Sequence, residues 1–188
     1  MSVAAVSSPQ NDHLLTAEDL WQHGPSTPGE LVRGKFIDMP PTGHPHASVE
    51  GNITRELGSF VKQRALGKVM PGEVGIITHR NPDTVRGADV VYISHERLAQ
   101  AQAQGYLNVP PELVVEVVSP NDGWTDINEK VAEYLACGVN AVWIVDPRTR
   151  RVTCYRPPAE VQRYGYEDIL TEPDLLPEFA LPVRELFD

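Results

Sequence analysis

The run Leu113-Val-Val-Glu-Val-Val118 decides the fold. It is apolar except at Glu116, and a nearly unbroken apolar run of this length marks a central strand covered on both faces. An ionised carboxylate inside such a strand is costly unless it is paired, hydrogen-bonded or bound to a cation. The run therefore predicts a buried sheet with layers on either side, and it singles out Glu116.

The neighbouring segments fill in those layers. Upstream, Val69–Thr78 and Ala88–Ser94 read as strands separated by the polar turn HRNPDTVRG, and a helix is predicted over His95–Ala103. Asp89, in ADVVYI, raises the same question as Glu116. From His46 to Arg64, Val49, Ile53, Leu57, Phe60 and Val61 recur at helical steps and predict an amphipathic helix. Before it, ELV and KFIDM around Arg33-Gly34 read as a β-hairpin, and Thr16 caps a short helix reaching about Trp21. Downstream, Asp126–Cys137 is helical and ends at Gly138. AVWIVD and RVTCYRP are strands joined by the basic turn PRTRR, and the remainder is a strand-and-loop finish over the sheet edge. This order predicts an α/β (α+β) fold, a mixed central sheet flanked by helices with an N-terminal hairpin.

With 188 residues, 41% hydrophobic and 22% charged, the chain is expected to form one domain over residues 14–188. The opening MSVAAVSSPQNDH, residues 1–13, reads as an untargeted, disordered tail. No apolar run approaches the ~20 residues of a membrane span, so a cytoplasmic protein with no membrane partner is expected. Cys137 and Cys154 lack metal-ligand spacing and read as reduced thiols. The net charge of −10, from 16 basic against 26 acidic residues, argues against broad non-specific adhesion to nucleic acid.

If the strands carrying Asp89 and Glu116 lie side by side, both acids reach one cleft. Hard oxygen ligands of this kind suit Mg²⁺ or Mn²⁺. The other reading, that Glu116 pairs with a buried base and Asp89 caps a turn, stands level with it on residue types alone. Lys130, one step from the apolar face of NEKVAEYLACGV, reads by spacing as an exposed lysine beside Glu129 or Glu133.

The succession ELVRGKFIDMPPTGHPH, DTVRGADVVYIS, PPELVVEVVSPND and EKVAEYLACGVNAVWIVDP resembles the Uma-two family of restriction-endonuclease-like proteins, within the PD-(D/E)xK nuclease superfamily. The resemblance covers about Leu14 to Phe187. It implies a restriction-endonuclease-like core in which Asp89 and Glu116 hold a metal with the Val117 carbonyl, and Lys130 serves as the catalytic lysine. It also places Glu30 and His46 along the cleft. The superfamily lysine stands two residues after the glutamate, where this chain has Val118, so the resemblance requires Lys130 to supply the ammonium from the helix. The literal Pro82-Asp83 lies in a polar turn and reads as a decoy.

What the resemblance implies is a Mg²⁺- or Mn²⁺-dependent endonuclease hydrolysing phosphodiester bonds of nucleic acid, DNA foremost, and working as a homodimer. Two rivals remain: a catalytically silent nuclease fold used for binding or dimerisation, and a metal-dependent hydrolase of another phosphoester.

Overall fold

The computed structural model describes residues 14–25, 27–120 and 122–188; the tail expected over residues 1–13 lies outside them. The chain opens with α1 (Ala17–His23), whose capping box joins the Thr16 side chain to the Asp19 N–H and the Asp19 carboxylate to the Thr16 N–H. Thr16→Ala is expected to cost about 1 kcal/mol in urea denaturation. The hairpin β1 (Gly29–Val32) and β2 (Lys35–Asp38) turns at Arg33 and Gly34, both at positive φ, as a two-residue hairpin requires.

The amphipathic helix is α2 (His44–Gln63), starting two residues earlier than its apolar pattern. It leads to two long strands, β3 (Gly67–His79) and β4 (Thr84–Ser94). The polar turn between them is shorter than expected, because Thr84–Gly87 already belong to β4, where buried Arg86 has carboxylate partners. The helix expected over His95–Ala103 shrinks to one turn, α3 (His95–Leu98). It buries no residue, so no packed face extends it.

After α3 come β5 (Leu113–Val117), α4 (Trp124–Cys137), β6 (Ala141–Asp146), β7 (Arg151–Arg156) and β8 (Glu160–Tyr164). Gly138, at φ 110, closes α4 in the left-handed conformation that glycine adopts without strain. A two-stranded sheet, β9 (Ile169–Glu172) and β10 (Leu176–Pro182), and a 3-10 turn (Val183–Leu186) finish the chain.

The main sheet runs β2-β1-β4-β5-β6-β7-β8, with β3 also paired to β4. Only β5 and β6 are parallel, joined through α4. Alternation along β5 divides the core. Leu113, Val115 and Val117 pack toward α2, against Val49, Ile53, Leu57 and Val61. Val114 packs toward α4, with Ile127, Val131 and Tyr134. Glu116 shares the α4 side with Val114. Among the described residues, no helix is long and apolar enough to cross a membrane.

Candidate active site

Where β4 and β5 part, the acids gather. Their ladder runs from Tyr92–Leu113 to Val90–Val115 and stops. One step further stand Asp89 and Glu116. Beyond the last pair the Val117 N–H has no ladder partner on β4 and donates instead to Asp89 Oδ2 at 2.6 Å. Asp89 is thus hydrogen-bonded to the strand that carries the other acid.

A third carboxylate joins the row. Between the pairs Pro71–Val90 and Val74–Ala88, Gly72 and Glu73 of β3 together oppose Asp89, forming a β-bulge. Glu73 has φ 57, an uncommon conformation for a residue with a side chain, and it lines the cleft. Gly87 leaves room for it, since a Cβ there would come within 2.8 Å of Glu73 Oε2. Burial and the nearby Asp89 charge push Glu73 up to about 7. Sequence reading missed this residue; Pro71-Gly72 inside a strand pattern was the available signal of a bulge.

Across the cleft, α4 supplies Lys130 and Tyr134. The Tyr134 hydroxyl donates to Glu116 Oε1 at 2.7 Å, and Lys130 Nζ lies 3.4 Å from Glu116 Oε2. The ammonium is closer to Glu30 of β1, at 2.8 Å from Oε1. Glu30 in turn accepts the Gly87 N–H at 3.0 Å and an Arg86 N–H at 2.9 Å, while Glu133 holds the other side of Arg86. Lys130 therefore turns inward, against its spacing, because two buried carboxylates attract it. Its pKa is raised: burial opposes the charge, and Glu116 and Glu30 outweigh burial.

Glu116 is pushed up to about 8 by burial, which Lys130 opposes and the Asp89 charge reinforces. A folded-state value above the usual 4.5 means that the native protein holds a proton the unfolded chain releases. The resulting stability is complete below about 4.5 and is lost as pH rises through about 8. Wild type is therefore expected to lose stability relative to Glu116→Gln, neutral throughout, between about pH 5 and pH 8; paired thermal melts across that range measure it.

From the other face, α2 brings buried His46, whose Nε2 lies 3.2 Å from Asp89 Oδ2. His44, two residues earlier, is exposed. Glu50, a turn after His46, joins the group, so that one ligand atom each of His46, Glu50 and Asp89 lie within 4.8 Å of one another. The expected residues Glu30, His46, Asp89, Glu116, Val117 and Lys130 all line one cleft of about 460 Å³. Asp83 does not: it accepts the Ala17 N–H and an Arg80 N–H, fastening α1 to the β3–β4 turn. The arginines of the PRTRR turn are exposed at the β6–β7 hairpin, whose backbone Asp146 organises.

A sheet that parts to present an acid from each of two neighbouring strands, with a lysine from the crossover helix, defines the restriction-endonuclease-like class of fold. A family model described as "Putative restriction endonuclease" matches residues 17–184, and the chain belongs to this Uma2 family. A crystal structure described as "a putative nuclease belonging to DUF820" from Anabaena variabilis ATCC 29413 superimposes with a TM-score of 0.78 at 20% identity. The match covers 92% of this chain and 97% of that one, and at this identity it speaks to the fold. No curated protein matches the sequence.

Proposed function

We propose that the protein is a metal-dependent endonuclease that hydrolyses phosphodiester bonds of nucleic acid, with DNA as its substrate, in the cytoplasm. The observation that carries this reading is the convergence of Asp89, Glu116 and Lys130 at the opening between β4 and β5. The donor set suits a hard divalent cation: adjacent carboxylates in a mostly buried row, whose mutual repulsion raises the Glu116 and Glu73 values.

Asp89, Glu116 and the Val117 carbonyl would hold Mg²⁺ or Mn²⁺. Bound there, such an ion polarises a phosphate and lowers the pKa of a water. The chain's own groups do the remaining work. Glu30 steadies Lys130, whose remaining N–H donors face the cleft and orient a water or neutralise charge growing on the phosphoryl oxygens. Tyr134 fixes the Glu116 carboxylate through Oε1. His46 orients Asp89 and is placed to relay a proton. Cutting both strands of a duplex requires two such sites, which a homodimer supplies. With a net charge of −10, few phosphates are neutralised, so binding should depend only weakly on salt.

The test is to incubate supercoiled plasmid, linear duplex, single-stranded DNA and RNA with the protein in Mg²⁺, Mn²⁺ or chelator. Cleavage of DNA that chelator abolishes supports the proposal. Intact DNA under both metals rejects it.

A further inference from the structure

The α2 side of the cleft holds an unresolved polar contact. His46 is 6% exposed, and its Nε2 stands 3.2 Å from Asp89 Oδ2, so the ring proton sits on Nε2 and donates to the carboxylate. Nδ1 then offers a lone pair, yet it is buried without any hydrogen-bond partner. Facing it at 3.9 Å is Glu50 Oε2, another acceptor. That gap is too long for a hydrogen bond, and two acceptors turned toward each other in a buried place are unfavourable. Glu50 is also held in position, since the Gly72 N–H of the β3 bulge donates to its other oxygen at 3.1 Å.

A cation satisfies both acceptors at once. We propose that His46, Glu50 and Asp89 form a divalent metal site of their own, distinct from the Asp89–Glu116 position and suited to Mn²⁺ or Zn²⁺ rather than Mg²⁺. The preference follows from the imidazole, since nitrogen donors suit these ions whereas Mg²⁺ keeps to oxygen and water. Asp89 also sets the imidazole's orientation, as carboxylates do for metal-bound histidines. The separateness follows from the fold: His46 and Glu50 come from α2, while Glu116 projects toward α4 and is occupied by Tyr134 and Lys130. Asp89 is shared with the proposed nuclease site, but the inference does not require that the protein cleave anything.

The experiment is a Mn²⁺ titration of chelator-stripped, full-length protein followed by electron paramagnetic resonance, with pulsed measurements of nitrogen coupling. Wild type should bind a Mn²⁺ ion that shows coupling to one imidazole nitrogen. Glu50→Gln should weaken that ion about tenfold or more, and His46→Gln should remove the nitrogen coupling. Glu116→Gln should keep it. Circular dichroism confirms that each variant is folded, and either His46→Gln or Glu50→Gln alone suffices if the other is not. Bound Mn²⁺ without nitrogen coupling, unchanged affinity in Glu50→Gln, or loss of the coupled ion in Glu116→Gln would overturn the inference. Nitrogen coupling without DNA cleavage removes the nuclease proposal and leaves this one standing. Cleavage without coupling does the reverse.

Discussion

Lys130→Met is expected to lower single-turnover DNA cleavage about a thousandfold, roughly 4 kcal/mol of barrier, while leaving divalent-cation binding intact or tighter. Lys130 touches no proposed metal ligand except Glu116, and that contact is long at 3.4 Å. Removing its charge therefore unburdens Glu116 while depriving the reaction of its one flexible cation beside the opening between the strands. The lost stabilisation belongs to the transition state, where negative charge accumulates on phosphoryl oxygens. Fold loss is guarded against by Arg86, which continues to neutralise Glu30. Calorimetry with Mn²⁺ and a single-turnover time course on the same preparation separate the two effects. A variant that lost cation binding in step with cleavage would make Lys130 a structural counter-ion.

The second large effect concerns the fold. Glu172, 1% exposed, accepts the Trp143 indole N–H at 2.8 Å and two N–H groups of Arg156, one at 2.9 Å. This fastens β9, outside the main sheet, to β6 and β7 within it. Glu172→Ala leaves Arg156 charged and buried and the indole N–H without its acceptor. A loss of about 3–5 kcal/mol is expected, lowering Tm by roughly 6–20 °C for a chain of this size. Replacing both Arg156 and Glu172 with methionine should cost less than Glu172→Ala, because it strands no charge. Denaturant unfolding of the two variants beside wild type checks the order.

Much of the sheet was legible because burial leaves a direct mark on sequence. LVVEVV, AVWIVD and the three- and four-residue steps of α2 each came close to their observed ends. The failures share a cause. Arg86 looked like part of a polar turn because its partners, Glu30 and Glu133, are distant in sequence. Lys130 looked exposed for the same reason. Whether Glu116 belonged to an ion pair or to a metal cleft stood level on residue types, and the structure shows why: the lysine contact and the row of acids are both present. Glu73 and Glu50 escaped notice because a backbone bulge brings the one to Asp89 and anchors the other, and a bulge has only a weak sequence signature.

The central claim is that the carboxylates at the parting of β4 and β5, together with Lys130, cut phosphodiesters with a divalent ion. Its most direct test is metal-dependent cleavage of plasmid and single-stranded DNA by wild type, Asp89→Ala, Glu116→Ala and Lys130→Ala, purified alike and confirmed folded. The prediction is cleavage by wild type in Mg²⁺ or Mn²⁺, abolished by chelator and reduced about a hundredfold or more in each variant. Wild-type cleavage no greater than that of the three variants would contradict it.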